Sequence, residues 1–326
     1  MEKHSPDGDT SAFTYNTNGQ LTQANNANRD IRFEYTASGE ITKEIQGSQL
    51  IEHRYNAQGQ RIETALPDQT VIGYAYDDHQ HWNGISLNGN TISQLTHNAW
   101  GQSVNKTQGN SETRTDYDMM GRLTTQHTTT DKQKHPIIQR NHHYNAAGCI
   151  SAIEDHHNGN TAYQYDVLNR LKTAEGYTKE RFAFDPTGNL LTGNQHHTHH
   201  TNSNRQTSHG EQQFAYDASG NRIKASQGEQ ETRYQYNAQN QLVAVHNGLN
   251  TTRYAYDALG RRVAKENALG ITQFLWNGDV LLSERCGDSE TLYLYEPESF
   301  KPLAQVRDGQ VYHYRLNHLG TPQEMI

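Results

Sequence analysis

The sequence has few of the features that usually cross-link a chain of 326 residues or place it in a membrane. Its two cysteines, Cys149 and Cys286, are too few for a disulfide framework and predict free thiols. No run approaches the ~18 apolar residues of a membrane-spanning helix, and residues 1–10 lack the apolar stretch of a signal peptide. We therefore expect no membrane span, and either a cytoplasmic location or export by another component.

An excess of positive charge is also missing. Lys and Arg number 28 against 36 Asp and Glu, which gives a net charge of -8 and no basic stripe for nucleic acid. Hydrophobic residues make up only 32% of the chain, a value often found in disordered proteins. The regular placement of these residues favours a folded chain instead, because tyrosine can bury its ring while its hydroxyl finds a partner.

A short unit at residues 252–265 illustrates the regular spacing of the aromatic and turn residues. Tyr254 and Tyr256 lie two residues apart, so both rings would lie on one face of a strand. Asp257 and Gly260 follow at the spacing of a β-turn, in which Asp caps its own backbone and Gly takes a positive φ. Val263 then resumes an apolar position. The unit is predicted to be a strand, a tight turn and a returning strand.

The unit recurs along the whole chain. We number each copy from its second aromatic residue, called position zero. The 15 intervals from the first copy to the last cover 299 residues, a mean just under 20, which is typical of repeat architectures. Position zero is occupied by Tyr15, Tyr35, Tyr55, Tyr76, Tyr117, Tyr144, Tyr165, Phe184, Tyr216, Tyr236, Tyr256, Trp276, Tyr295 and Tyr314, with His97 and His200 in two weaker copies.

The residues after position zero follow turn geometry. The next residue is Asp or Asn in 12 of the 16 copies, and position +4 is Gly in nine and Asn in three, at Asn169, Asn204 and Asn240. Asn is the residue after Gly that best tolerates a left-handed backbone. Leu21, Ile41 and Ile62 are taken as apolar positions of the returning strands. We predict one continuous array over residues 1–326.

Three places depart from the pattern. Gln80 replaces the turn glycine of the fourth copy, so a different turn is expected there, as a longer loop through residues 82–84. In the fifth copy Trp100 is expected to supply the missing aromatic bulk from within the turn. Between Tyr117 and Tyr144, a 27-residue interval with a polar run at 127–136 predicts an elongated hairpin or a surface loop.

Histidines gather in the middle of the chain. A tract at residues 196–200 suggests metal binding by composition, but no Cys, Asp or Glu lies near it at ligand spacing. We interpret it as a decayed repeat with exposed side chains. The other members of this group are His142, His143, His156, His157 and His209.

No enzyme is predicted. Asp257 and Asp217 occupy a slot that is Asp or Asn in most copies, whereas catalysis needs a single constellation of residues. No Gly-x-Ser-x-Gly nucleophile motif occurs. No catalytic, cofactor-binding or metal-ligating residue is therefore assigned, and no cofactor is expected.

Two features together resemble one family. The Tyr-x-Tyr-Asp-x-x-Gly unit is similar to the YD repeats of RHS proteins, and the run from Tyr312 to Glu324 resembles the start of the RHS core-associated motif, which we place at 311–326. Asn317 lies where that motif commonly has Asp. The resemblance covers nearly the whole chain and implies an all-β protein, in which an antiparallel sheet of stacked hairpins spirals into a hollow shell, here a partial one truncated within the core.

The resemblance also implies a role. In polymorphic toxins, including type VI secretion effectors, such a shell encloses a C-terminal toxin domain and is delivered or secreted with it. The leading hypothesis is therefore a non-enzymatic shell segment whose partners are a toxin domain absent from this chain and delivery components. The alternative is a module that binds carbohydrate or a cell surface through its periodic aromatic residues.

Overall fold

The computed structural model describes residues 2–4, 10–131, 136–192 and 205–326, and these residues form antiparallel strands joined by turns. Within these ranges no helix is long and apolar enough to cross a bilayer. The predicted all-β class is confirmed. The tract at 196–200, with His200 and Asn204, lies outside the described residues.

The first sheet has 19 strands. They are β1 (Glu2–His4), β2 (Thr10–Tyr15), β3 (Leu21–Asn25), β4 (Asp30–Tyr35), β5 (Ile41–Gln46), β6 (Gln49–Tyr55), β7 (Arg61–Ala65), β8 (Val71–Tyr76), β9 (Trp82–Leu87), β10 (Asn90–His97), β11 (Ser103–Gln108), β12 (Ser111–Tyr117), β13 (Leu123–Thr130), β14 (Ile138–Tyr144), β15 (Ile150–Asp155), β16 (Thr161–Tyr165), β17 (Leu171–Glu175), β18 (Lys179–Phe184) and β19 (Leu190–Thr192).

The second sheet has 13 strands. They are β20 (Ser208–His209), β21 (Gln212–Tyr216), β22 (Arg222–Gln227), β23 (Gln230–Tyr236), β24 (Leu242–Asn247), β25 (Asn250–Tyr256), β26 (Arg262–Asn267), β27 (Gly270–Asn277), β28 (Val280–Cys286), β29 (Ser289–Tyr295), β30 (Pro302–Arg307), β31 (Gln310–Leu316) and β32 (Pro322–Met325).

Consecutive strands pair antiparallel, so each repeat of about 20 residues is two strands with two turns. The strand register usually shifts by one residue just before position zero. Ala255, for example, pairs with Ala264, whereas the next residue, Tyr256, pairs with Arg262. A second and tighter turn, which the sequence analysis passed over, closes the other end of each repeat. Gly47 and Gly248 occupy such turns with φ values of 63° and 58°.

The described chain divides into two compact units. The first comprises residues 1–75, 85–92 and 211–326, and the second comprises residues 76–84 and 93–210. In the first unit, Ile31, Ile51 and Leu294 are fully or almost fully buried. Buried polar residues are just as prominent, since Thr64 and Thr128 are also inaccessible to solvent. This polar interior explains how a sequence with so few apolar residues folds.

Several local expectations were wrong. Gln80 takes a φ of 67° and closes the same turn as glycine does elsewhere, so no longer loop forms and β9 starts at Trp82. Trp100 is 85% exposed and supplies no packing. Ile62 is 38% exposed against 4% for Val263, although the two lie at the same distance after position zero.

The last copies also depart from the expected register. The turn after Trp276 is a two-residue one at Gly278, so Asn277 pairs with Val280 within the ladder. The final turn starts at Asn317, which places Leu316 rather than Tyr314 at the position-zero site. In the 27-residue interval, for which an elongated hairpin or a surface loop is expected, β13 and β14 pair as far as Thr128 and Ile138, and residues 132–135 of the polar run lie outside the described residues.

Candidate functional site

The turn after position zero is built around one carboxylate or amide side chain. In the copy at 257–261, Asp257 Oδ1 accepts hydrogen bonds from the backbone N–H groups of Leu259 and Arg261 at 3.0 and 2.9 Å. The N–H of Gly260 reaches the Asp257 carbonyl at 3.0 Å, with a Gly260 φ of 87°. Asp217 caps its turn in the same way, through the N–H of Asn221 at 2.8 Å. Both residues therefore do the turn chemistry predicted for them.

The Asp or Asn at position +1 also bonds the side chain at position +5, through the side-chain atom that the turn does not use (Oδ2 of Asp or Nδ2 of Asn). Where position +1 is Asn and position +5 is Gln, the Asn amide donates to the Gln side chain, as in Asn16 to Gln20 at 2.7 Å. Where it is Asp, the free oxygen accepts from an arginine or an asparagine, as in Asp118 from Arg122 Nε at 2.7 Å. The same pairing recurs at 56/60, 98/102, 166/170, 185/189, 217/221, 237/241 and 257/261.

The position-zero tyrosines fasten one repeat to the next. The hydroxyl of Tyr256 donates to the Leu242 carbonyl at 2.8 Å, and Leu242 is position +6 of the preceding copy. Trp276 substitutes its indole N–H, which reaches the Arg262 carbonyl at 2.8 Å. Equivalent bonds join 35 to 21, 55 to 41, 117 to 103, 144 to 123 and 165 to 150. The ring hydroxyl therefore has a structural task in each of these copies.

Within the first unit, distant repeats are joined by a buried charge cluster. Arg261 Nη1 lies 2.6 Å from Glu44 Oε1, and Arg261 Nε lies 2.8 Å from Asp257 Oδ2. The side chain of Glu44 is only 1% exposed, and its second oxygen accepts from the Gly278 N–H at 3.3 Å. One guanidinium thus serves two carboxylates that are separated by more than 200 positions in the sequence.

Side chains of the early repeats extend this contact along the backbone of the late ones. Arg29 Nη1 donates to the Phe274 carbonyl at 2.8 Å, and Gln46 Nε2 donates to the Trp276 carbonyl at 2.6 Å. Asn26 and Asn28 both donate to the Tyr256 carbonyl, at 3.0 and 2.9 Å. We call this contact, between residues 26–46 and 256–278, the closure seam. It brings the antiparallel meander of the first unit back onto itself.

Burial and the ion pairs of the seam shift its pKa values in opposing directions. Loss of hydration raises the pKa of the Glu44 carboxyl above its usual value, although Arg261 and the Gly278 N–H favour its ionised form. Burial likewise lowers the pKa of Arg29. A raised carboxyl pKa means that this group's contribution to stability is present at low pH and declines as the pH rises above its unfolded value. At Arg261 the two carboxylates outweigh the same loss of hydration and raise the pKa of the guanidinium.

The histidines of the middle region that are described do not form one group. His142 is buried, whereas His156 and His157 are exposed, and His143 pairs with Glu154 at 3.2 Å. Among the described residues, the cluster with the composition of a metal site is instead Asp77, His81 and His97. Sequence analysis missed it because its members belong to two different repeats. Cys149 and Cys286 are free, as predicted.

Comparison with known proteins gives the family. The profile described as the teneurin YD-shell matches residues 94–280, which is more than half of the chain. The chain belongs to the teneurin YD-shell family. This confirms the resemblance to RHS and YD-repeat proteins, and the chain is a shell-like structural segment made of YD-shell repeats.

Individual relatives are distant and longer. The double-stranded DNA deaminase toxin A of Burkholderia cenocepacia (strain H111) is 27% identical over 181 residues, which are 53% of this chain and 13% of that protein. The crystal structure of TcdB2–TccC3 matches all of this chain with a TM-score of 0.66 and 14% identity. The Tc holotoxin pore of Photorhabdus luminescens gives a TM-score of 0.67 at 14% identity. This YD-shell chain spans about a fifth of each of those structures.

Proposed function

We propose that this YD-shell chain is part of the wall of a compartment that encloses a toxin domain, and that it has no enzymatic activity of its own. The proposal treats residues 1–326 as one array. The closure seam is the observation that carries it, because an enclosing wall requires distant repeats of a meander to meet. Glu44, Gln46 and Arg29 form that contact with groups between residues 261 and 276.

The other observations support the same role. The Asp and Asn residues at position +1 hold turns, and the position-zero hydroxyls hold neighbouring repeats, so the recurrent polar groups have structural tasks. The names or titles of several relatives refer to toxins, which supports a toxin domain as the cargo of the proposed compartment. Delivery as an effector, by a type VI system or by a route like that of the Tc proteins, belongs to this proposal.

The proposal is tested by protection from protease. The chain is expressed together with the polypeptide encoded immediately downstream, and the complex is digested with trypsin. We expect the cargo to survive in the complex and to be cleaved rapidly when it is supplied alone. Equal cleavage rates in the two samples would contradict enclosure.

Two arginine variants link protection to the seam. Arg261→Ala removes the buried partner of Glu44 and Asp257, and should expose the cargo. Arg285→Ala removes an exposed partner of Glu290 and should leave the cargo protected. Circular dichroism on both variants checks that the strands persist. Unchanged protection in Arg261→Ala would show that the seam does not close the wall.

The alternative function, carbohydrate binding, needs aromatic faces that are open to a sugar. The described position-zero aromatics are half-buried, except for Tyr15, which is 54% exposed. This arrangement favours the wall over the binding surface. A glycan array probed with the purified chain distinguishes the two functions. Specific hits that disappear in Tyr15→Ala would favour carbohydrate binding, and an array without hits would favour the wall.

A further inference from the structure

In two copies of the second unit, three sites converge where one repeat meets the next. They are position +1, position +5 and position zero of the following copy. In the copy after Tyr117, these sites hold Asp118, Arg122 and Tyr144, and the guanidinium lies 4.5 Å from the ring centroid. The copy after Tyr165 repeats the arrangement with an arginine over Phe184 at 4.7 Å. The repeat backbone therefore forms this meeting point in more than one copy.

In the fourth and fifth copies, the same three sites hold metal-binding side chains. Asp77 occupies position +1, His81 occupies position +5, and His97 takes the site of the following aromatic residue. The ring of His81 lies 5.2 Å from that of His97, as the arginines lie against aromatic rings elsewhere. The repeat backbone thus brings together three ligands that are distant in sequence.

The geometry suits a tetrahedral ion. Asp77 Oδ2 is 3.5 Å from His81 Nδ1 and 3.3 Å from His97 Nδ1, and each of the three residues offers one ligand atom within 4.8 Å of those of the other two. Two donors bound at about 2.05 Å to one tetrahedral zinc ion lie about 3.4 Å apart. The two carboxylate–imidazole separations therefore match the edges of a zinc coordination tetrahedron.

The individual ligands are also prepared for this role. Asp77 Oδ1 is held by the N–H groups of His79 and His81, both at 2.9 Å, which leaves Oδ2 directed at the two imidazoles. The side chain of His97 is only 10% exposed, and the one contact of its buried Nδ1 in the described part of the chain is Asp77 Oδ2 at 3.3 Å, which falls short of hydrogen-bond geometry. A metal ion would satisfy this nitrogen and neutralise the carboxylate.

We propose that Asp77, His81 and His97 bind one divalent transition-metal ion, with Zn²⁺ as the best fit, and that the ion clips the fourth repeat to the fifth. Two nitrogen ligands and one oxygen ligand suit zinc, and three protein ligands leave a fourth position for water. The ion replaces the tyrosine hydroxyl bond that fastens repeats elsewhere, since His97 has no hydroxyl. The site departs from the sequence-based expectation that the chain binds no metal.

The test is titration of the full chain, without an affinity tag and after removal of metal with EDTA. Co²⁺ serves as the probe because its visible absorption reports tetrahedral nitrogen and oxygen ligands, and Zn²⁺ is then added to displace it. We expect one tetrahedral Co²⁺ per chain. We also expect Zn²⁺ to raise the melting temperature, because a ligand that binds only the native state stabilises it.

Two variants identify the ligands. His97→Tyr restores the residue usual at position zero, so the chain should fold while its affinity for Co²⁺ falls by at least about tenfold. A second variant changes His196, His197, His199 and His200 to Gln, which removes the competing tract, and it should keep both the absorption band and the zinc-dependent rise in melting temperature. The proposal is overturned if the band disappears in the tract variant, persists unchanged in His97→Tyr, or is absent from the wild-type chain.

Discussion

At the scale of single residues, the tyrosine at position zero does more than fill space. Its ring is half-buried, and its hydroxyl donates to a carbonyl of the preceding repeat, as Tyr256 does to Leu242. Regular spacing predicts that such rings share a face, but it cannot show which acceptor the hydroxyl reaches. The acceptor depends on how neighbouring repeats are offset, and only the folded sheet fixes that offset.

Removal of the Tyr256 hydroxyl should weaken the contact between this repeat and the preceding one. Tyr256→Phe is expected to lower the free energy of unfolding by about 1 kcal/mol, because a satisfied hydrogen bond is lost and the Leu242 carbonyl is left without this donor. Urea denaturation measures the change. The matched control is Tyr177→Phe, whose ring is 97% exposed and whose substitution should have almost no effect. Equal effects in the two variants would refute the role of the hydroxyl.

The same turn residue should matter far more at the closure seam than elsewhere. Asp257→Ala removes a turn cap and also a buried partner of Arg261, so a loss of about 3–5 kcal/mol is expected. Asp217→Ala removes a cap whose partner is a neutral asparagine, and should lower stability by about 1 kcal/mol. The turn pattern alone predicts the smaller value for both residues. Urea melts that gave equal losses would contradict the seam.

At the scale of a hairpin, the pairing between positions +1 and +5 is a rule that the sequence contains but that period and turn analysis did not reveal. Asn accompanies Gln at 16/20 and 56/60, whereas Asp accompanies Arg at 118/122 and 166/170. The reason is complementarity between donor and acceptor, because an amide nitrogen cannot accept from a guanidinium. Comparison of the copies position by position would have found this signal.

A double-mutant cycle tests the rule. Asp118→Asn is expected to reduce stability by about 1–2 kcal/mol, because the new amide nitrogen faces Arg122 Nε, another donor. Addition of Arg122→Gln should recover part of that loss by recreating the pair seen at Asn16 and Gln20. Thermal melts of the two single variants and the double variant give the coupling energy. Strict additivity would show that the two side chains do not interact.

The β14–β15 hairpin should respond to acid. The pKa of Asp155 falls to about 2 although burial opposes its ionisation, because Arg140 at 2.6 Å and the N–H groups of Asn158 and His157 favour the carboxylate. A lowered carboxyl pKa gives stability that is present above the usual value of 3.8 and is lost as the pH falls toward 2. We expect about 1–2 kcal/mol from this group, because the loss of hydration on burial offsets part of the ion-pair energy.

Acid titration of two variants checks this expectation. In Asp155→Asn the decline in stability between about pH 4 and pH 2 should be smaller than in the wild type, and stability at neutral pH should be lower. Glu154→Gln changes the adjacent, half-exposed carboxylate and should leave the acid profile close to that of the wild type. Identical acid profiles for Asp155→Asn and the wild type would contradict the role of this ion pair.

At the scale of the whole molecule, periodicity predicted the strand–turn–strand units and most of the turns because each repeat is a local structure set by its own residues, and the resemblance to a family supplied the all-β class. The closure seam could not be predicted in this way. Glu44, Gln46 and Arg261 are ordinary polar residues in sequence, and their partners lie more than 200 positions away. The Asp77, His81 and His97 cluster escaped for a related reason, since its spacing follows the repeat geometry rather than a known ligand motif.

The closure seam also has a consequence for biosynthesis. Asn26 and Gln46 leave the ribosome early, yet the carbonyls they bind belong to residues 256 and 276, each 230 positions later. At a synthesis rate of about 5–20 residues per second, the early hairpins wait for roughly 10–50 seconds before their partners exist. During that interval their polar edges are exposed to other nascent chains, so correct folding of the first unit depends on those edges staying unpaired until synthesis of the late repeats.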